Sequence, residues 1–221
     1  MSETWSPRRT GCPGHDVLDG SSVTLTPVAQ DGVSEALARA MLRESAELWR
    51  WMGIGPFADE ETFLAMLAEQ AEAGLNLMAI SKPGGPPLGM AAFMRMKPQF
   101  GCAEIGSVTY GQDLQRTKAG TEAIFLMLKH IFEDYGWRRA EWICNDQNKP
   151  SARAGERYGF TYEGTFRNHR WVKGANRDTA WFSMIDTEWP ERKATFEAWL
   201  DDANFFADGK QLKSLTDLRH R

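Results

Sequence analysis

Residues 103–132 read AEIGSVTYGQDLQRTKAGTEAIFLMLKHIF, and this stretch predicts a strand, a polar loop and a helix in that order. A strand is indicated over residues 104–110, because Ile105, Val108 and Tyr110 are β-forming residues and a glycine follows. After the loop, apolar residues recur with the spacing of one helix face. They are Ala123, Ile124, Met127, Leu128, Ile131 and Phe132.

The loop over residues 112–118 predicts an anion site. It carries Arg116 and Lys118 and leads into a helix start, where unpaired N–H groups and the positive end of the helix dipole meet. Such a place suits a pyrophosphate. The alternative is a solvated basic loop, since most strand-loop-helix units bind nothing. The loop contains neither GxxxxGK[ST] nor GxGxxG, which disfavours a P-loop ATPase and a dinucleotide-binding domain.

Composition predicts one globular domain with tails. The chain has 221 residues, 42% of them hydrophobic, which suffices for one substantial core. A formal net charge of −4 argues against a nucleic-acid-binding surface, because such surfaces need clustered Lys and Arg. The expected boundaries are a poorly ordered tail over residues 1–20, a domain over 21–202 and a helical extension over 203–221.

The cysteines favour a reducing compartment. Cys12, Cys102 and Cys144 are odd in number and form no CxxC pair, so no disulfide framework or zinc site is expected. No apolar segment follows Arg8 and Arg9 as a secretory signal requires, and no apolar run is long enough to cross a membrane. We therefore expect a cytoplasmic protein with no metal and no membrane partner.

The remaining elements predict a mixed α/β order of β-α-α-β-β-β-α-β-α-β-β. Helices are expected over residues 33–50 and 59–73, the second with Asp59 as its N-cap. The turn KPGGPP joins two strands of a first hairpin. A second hairpin is expected from strands over 160–172 and 177–186, around a turn of four residues.

Three segments in sequence order resemble the GNAT acetyltransferases, in the branch similar to the RimJ/RimL ribosomal-protein N-acetyltransferases. AEI followed by LQRTKAGTEA looks like that family's acetyl-CoA site, NKPSARAGERYGF like its N-x-x-S helix and Gly-Phe pair, and EGTFR like the strand after it. The family's loop reads Q/R-x-x-G-x-G/A, and here Lys118 stands at the first glycine position while Gly120 keeps the second. The resemblance covers residues 22–190.

The resemblance implies a GNAT fold, in which a mostly antiparallel sheet flanked by helices has two splayed middle strands with the pantetheine arm between them. It also implies acetyl-CoA as cosubstrate and no metal. The implied acetyl-CoA-binding residues are Val108, Thr109, Tyr110, Gln115, Arg116, Thr117, Lys118, Ala119, Gly120, Thr121, Asn148 and Ser151.

Two catalytic residues follow from the same resemblance. Transfer to an amine requires that a proton be removed before attack, and Glu104 resembles the strand glutamate that some members use as the base. The alternative is a surface or paired carboxylate. Ser151 would assist the departing thiolate, because Gly155 stands where many members have a tyrosine and Tyr158 is displaced towards the turn. A helix N-cap would explain Ser151 and Asn148 without catalysis.

The acceptor site is expected near the aromatic segment LWRWMGIGPF, which in the resembling family covers that site. Candidate substrate-binding residues are Trp49, Trp51, Met52, Phe57 and His169. Aromatic residues beside a turn can equally be part of the core.

The resemblance favours an acetyl-CoA-dependent N-acetyltransferase acting on a protein N-terminal α-amine or a small amine, and it is compatible with a homodimer. A non-catalytic acyl-CoA-binding or regulatory module with the same fold is the alternative. The sequence does not identify the amine.

Overall fold

The computed structural model describes residues 5–219, so the ends of the expected tail and of the expected C-terminal extension lie outside the described residues. The strands are β1 (Leu18–Asp19), β2 (Thr24–Pro27), β3 (Asn76–Ser81), β4 (Pro87–Lys97), β5 (Cys102–Tyr110), β6 (Arg139–Asn145), β7 (Thr161–Val172) and β8 (Ala175–Ile185). The helices are α1 (Val33–Met41), α2 (Glu60–Glu72), α3 (Lys118–Lys129), α4 (Lys149–Tyr158), α5 (Trp189–Leu200) and α6 (Leu215–Arg219).

The strands form one sheet of mixed direction in the order β1-β2-β3-β4-β5-β6-β8-β7. Neighbouring strands are antiparallel except β5 and β6, which run parallel. A parallel pair needs a crossover connection, and α3 supplies it. The expected mixed α/β fold, with a mostly antiparallel sheet and flanking helices, is confirmed.

The parallel strands β5 and β6 separate after a short contact. They pair only over Cys102–Glu104 and Arg139–Glu141, and beyond these residues each strand continues without the other. Irregularities in the β4–β5 register accompany positive φ angles of 47° at Arg95 and 49° at Ser107. Bulges of this kind bend a strand and increase its twist. A gap therefore opens in the middle of the sheet.

Two apolar layers cover the sheet. Successive side chains of a strand point to opposite faces. In β3, Met78 and Ile80 belong to the layer with α3 and α5, whereas Leu77 and Ala79 belong to the layer with α1 and α2. The apolar face predicted for α3 is buried as expected. These layers hold β5 and the start of α3 in a fixed relation.

The first predicted helix is shorter than its pattern indicated. It ends at Met41, and a short 3-10 helix, Ala46–Trp49, follows after a break. Past the break, the Trp49 ring packs edge-on against Phe57 and Phe63, with centroid distances of 5.0 and 6.1 Å. Burial of this aromatic ring outweighs the helical preference of the intervening residues.

The second hairpin also differs from the prediction. Its turn has two residues, Lys173 and Gly174, with φ of 50° and 73°, instead of four. Two residues with positive φ match the twist of antiparallel strands, which favours such a turn. The shorter turn places Arg170 directly opposite Arg177.

The chain segments before β1 and after α5 both contact the domain. Unlike the poorly ordered tail expected from composition, the N-terminal segment is held by Trp5 Nε1, which donates to Gly136 O at 3.0 Å, and by Cys12 O, which accepts from Tyr135 at 2.7 Å. At the other end, Leu215 of α6 is buried in the core. No helix within residues 5–219 is long and apolar enough to cross a membrane.

Candidate active site

The gap between β5 and β6 opens into a cleft of about 780 Å³. Its walls come from β4, β5, β6 and α4, with residues 44–54 and the β7–β8 hairpin on one side. The predicted site residues that line it are Glu104, Val108, Tyr110, Gln115, Asn148, Ser151, Trp51 and Met52. The structure thus brings both predicted catalytic residues and part of each predicted binding set to one space.

The loop before α3 carries free backbone donors. Among the described residues, the amides of Arg116 to Ala119 make no hydrogen bond. The Thr117 side chain caps α3 by accepting from Gly120 N at 3.0 Å, which fixes the first turn. The positive φ in this loop is at Arg116, 59°, whereas the resemblance drew attention to Lys118. Free amides at a helix start suit an anion such as a pyrophosphate.

The strand β5 presents backbone groups to the gap. Because Gly111 N donates to Leu88 O of β4, the alternation along the strand turns the amides of Val108 and Tyr110 away from β4. Gln115 confirms this direction, since its side-chain amide donates to Tyr110 O at 2.7 Å. The backbone groups of Thr109 face β4, and its buried side chain does not line the cleft.

Glu104 is a buried carboxyl in the cleft wall. It is 3% exposed, and burial raises its pKa to about 7, against the opposing effect of Arg95. Arg95 Nε lies 2.8 Å from Glu104 Oε2, but the alignment is not that of a hydrogen bond. A second carboxylate on the next strand, Glu141, also raises the pKa of Glu104. A carboxyl whose pKa is near 7 can accept a proton at neutral pH.

Ser151 lies in the first turn of α4, in a tight polar group. Its Oγ accepts from Trp142 Nε1 at 3.1 Å, so the hydroxyl proton remains available to another acceptor. Its backbone N donates to Asn148 Oδ1 at 3.2 Å, which makes Asn148 the N-cap of the helix. Burial raises the pKa of the Cys144 thiol, and Ser151 opposes that shift. Both residues line the cleft.

The glycine that replaces the family's tyrosine has a packing role. A Cβ at Gly155 would lie 2.9 Å from Trp142 Cδ1, so the indole ring occupies the space that a side chain would need. Tyr158, one turn of α4 later, is buried at the cleft wall beside the same ring.

The predicted acceptor residues divide into two groups. Trp51 and Met52 line the cleft, whereas Trp49 and Phe57 lie in the aromatic cluster with Phe63 and do not. Trp49 and Phe57 pack against Phe63 of α2, so they lie in the core, which is the alternative given for aromatic residues beside a turn. Lys173 Nζ donates to Trp49 O at 2.9 Å, which ties the hairpin to this segment.

His169 also lies away from the cleft. It lines a separate, shallow depression on the β7–β8 hairpin together with Phe166, Arg167 and Asp178. Beyond the bulged part of β7 around Asn168 (φ 50°), Arg170 lines the cleft. The prediction for His169 is therefore corrected.

Three arginines that line the cleft, Arg95, Arg170 and Arg177, were not predicted. The RNHRW segment contained the signal for Arg170, but its partner Arg177 depends on the length of the hairpin turn. Among residues 5–219 no cluster of three or more His, Cys, Asp or Glu side chains could hold a metal ion.

A family model for the GNAT acetyltransferase domain matches residues 22–161. The chain belongs to the GNAT acetyltransferase family. It is an N-acetyltransferase by family, and the expectation from the sequence is confirmed at this level.

Solved structures agree with this assignment. A GCN5-related N-acetyltransferase from Brucella melitensis is 37% identical, with a TM-score of 0.91 over 98% of this chain and 99% of that one. A probable GNAT-family acetyltransferase from Chromobacterium violaceum is 35% identical, with a TM-score of 0.79 over 86% of this chain and 94% of that one. A ribosomal-protein-S5-alanine acetyltransferase from Vibrio fischeri is 15% identical over 79% of this chain and 98% of that one, with a TM-score of 0.65, and shares the fold. Among proteins with curated descriptions, none matches this sequence.

Proposed function

We propose that this GNAT acetyltransferase moves an acetyl group from acetyl-CoA to a primary amine by direct attack within a ternary complex. The observation that carries the proposal is the position of Glu104, a buried carboxyl whose pKa is about 7 and which lines the same cleft as Ser151. A proton acceptor and a hydroxyl donor in one cleft are the two groups that this reaction needs.

The cosubstrate would lie along the gap between β5 and β6. The free amides of Arg116 to Ala119 would take the pyrophosphate at the start of α3. The outward amides of Val108 and Tyr110 would pair with the pantetheine arm, and Asn148 could donate to it from its side-chain nitrogen while Oδ1 caps α4.

The chain's residues then perform three tasks. An α-amino group has a pKa near 8, so Glu104 can take its proton directly or through a water. Backbone N–H groups of β5 would stabilise the oxyanion of the tetrahedral intermediate. Ser151 would donate its hydroxyl proton, or a hydrogen bond, to the departing thiolate.

We further propose a RimJ/RimL-like acceptor, a protein N-terminal α-amine or a small amine, and a cytoplasmic location. The three segments of sequence resemblance support the branch, and the free cysteines support the compartment. Nucleic-acid and membrane partners are not expected. A homodimer stays a prediction.

Thiol release from acetyl-CoA, measured across a panel of amines, tests the proposed reaction. We expect release that depends on both the amine and the enzyme, with an N-acetylated product detected by mass spectrometry. Calorimetric binding of CoA without thiol release for any amine would support the alternative of a non-catalytic acyl-CoA-binding module. A ligand-bound structure with the phosphates away from the start of α3 would refute the binding site.

A further inference from the structure

One part of the cleft wall holds an unusual concentration of positive charge. Arg95 comes from the bulge of β4, and Arg170 and Arg177 come from β7 and β8. Arg170 and Arg177 are direct cross-strand partners. Like charges in such a pair destabilise a sheet, so the fold carries an electrostatic cost at this point.

The carboxylates nearby do not balance these charges. Arg95 is paired with Glu104, whereas neither Arg170 nor Arg177 has an ion pair or a side-chain hydrogen bond within the described part of the chain. Glu141, the other nearby acid, is held by Arg139 at 2.8 Å.

The other acids that line the cleft are engaged elsewhere. Glu44 accepts from the amide of Gln112 at 3.3 Å, and Glu47 is paired with Arg50 at 3.0 Å. The two arginines on the hairpin are therefore available for a ligand.

Burial makes the unpaired charge of Arg177 more costly. Its Nε is buried and has no hydrogen-bond partner. Burial, followed by the charges of Arg170 and Arg95, lowers its pKa. A buried guanidinium donor without an acceptor is expensive, and an anion between the two arginines would remove that cost.

We propose that Arg170 and Arg177 bind a carboxylate on the acceptor, so that the preferred substrate is an amine that also carries a negative charge. This inference rests on the proposed function and specifies its substrate class. Arg170 and Arg177 line the same cleft as Glu104 and their charges act on it, so an acceptor anchored by its carboxylate would bring its amino group towards the proton acceptor. The amine can be an amino-acid-like small molecule or a peptide with an acidic residue next to its α-amine.

The test compares amines that differ only in charge. The small-molecule arm pairs β-alanine with β-alaninamide and 4-aminobutanoate with its amide. The peptide arm pairs two dipeptide amides whose second residue is glutamate or glutamine. We expect kcat/KM to be about 10- to 100-fold higher for the charged member in at least one arm, the scale of a hydrogen bond to a charged group. The arm with the larger ratio identifies the source of the carboxylate.

Substitution then assigns the preference to the two arginines. In R170Q and R177Q the ratio of charged to neutral acceptor should fall towards one. R167Q is the matched control, because Arg167 lies on the same strand but lines the separate depression with His169. Its ratio should equal that of the unaltered protein.

Two results would overturn the inference. Equal kcat/KM for the charged and neutral members of every pair would leave the acetyltransferase proposal intact and exclude the carboxylate site. A pH profile shifted equally for both members in R177Q, with the ratio unchanged, would show that the arginines only tune the pKa of Glu104. If no amine is acetylated, the carboxylate site is tested by calorimetry of 4-aminobutanoate binding to the CoA complex. R177Q should then bind 4-aminobutanoate at least tenfold more weakly than R167Q, and equal affinities would exclude the site.

Discussion

Replacement of Glu104 by Gln preserves the size and polarity of the side chain and removes the proton acceptor. Glu104 is buried, and burial raises the pKa of its carboxyl from 4.5 to about 7. Glu104 therefore titrates close to neutral pH. An amine with a pKa near 8 is only about one tenth neutral at that pH, so assistance by a base matters most there.

The loss of activity should be large and should depend on pH. Without general-base assistance, kcat/KM should fall by about 10²-fold or more at pH 7. The deficit should narrow at high pH, where most of the amine is already neutral. In the unaltered enzyme we expect kcat/KM to rise through an apparent pKa near 7 in addition to that of the amine.

The same substitution, which lowers activity, should raise the stability of the fold at alkaline pH. Because the pKa of Glu104 is raised in the folded state, its contribution is fully present below pH 4.5 and is lost as the pH rises through about 7. At 1.36 kcal/mol per pKa unit, the shift lowers the free energy of unfolding by as much as about 3 kcal/mol at pH 8. Urea unfolding should therefore show E104Q more stable than the unaltered protein at pH 8 and nearly equal to it at pH 4.5.

The matched control is E141Q, since Glu141 is the direct partner of Glu104 on the parallel strand β6. It removes a carboxylate that raises the pKa of Glu104, so the acidic limb of its profile should move to lower pH with activity kept within a few-fold. Profiles of E104Q and the unaltered enzyme that run parallel at similar height would refute the reasoning. Glu104 would then be structural, and the proton would leave by another route.

Three further substitutions test the rest of the site. Ser151→Ala should lower kcat more than it raises KM for acetyl-CoA in steady-state assays, because a hydrogen bond to the sulfur strengthens as the thiolate develops; unchanged turnover would leave Ser151 only its place in the first turn of α4. Thr117→Ala should destabilise the fold by about 1 kcal/mol in urea and raise KM for acetyl-CoA, whereas Asp59→Ala, which removes the cap of α2, should leave that KM unchanged. Gly155→Ala should destabilise by about 1 kcal/mol or more despite better helix propensity, since its Cβ would meet Trp142 at 2.9 Å; a gain in thermal stability would contradict this packing.

Local patterns in the sequence were sufficient for the elements that depend on nearby residues. The strand, loop and helix around Gly111 form as predicted, because β-propensity and helical periodicity act over a few residues. Asp59 caps α2 as expected. The ordered set of short motifs was enough to identify the family, although each motif alone is weak.

Other features were decided by contacts between distant parts of the chain. Trp49 belongs to the core because Phe63, on another helix, completes its cluster, and no local pattern distinguishes that from a pocket wall. The N-terminal segment is held by several hydrogen bonds to residues more than 120 positions away. Composition cannot predict such contacts.

The substrate side of the cleft depended most on tertiary structure. A turn of four residues would set Arg177 opposite Val172, whereas the two-residue turn sets it opposite Arg170. A small change in register selects different neighbours for every residue of a strand, and here that register follows from the turn and from packing against β6. The local sequence was enough to predict Glu104 and Ser151 as candidate site residues, and the tertiary structure decided which charges line the cleft beside them.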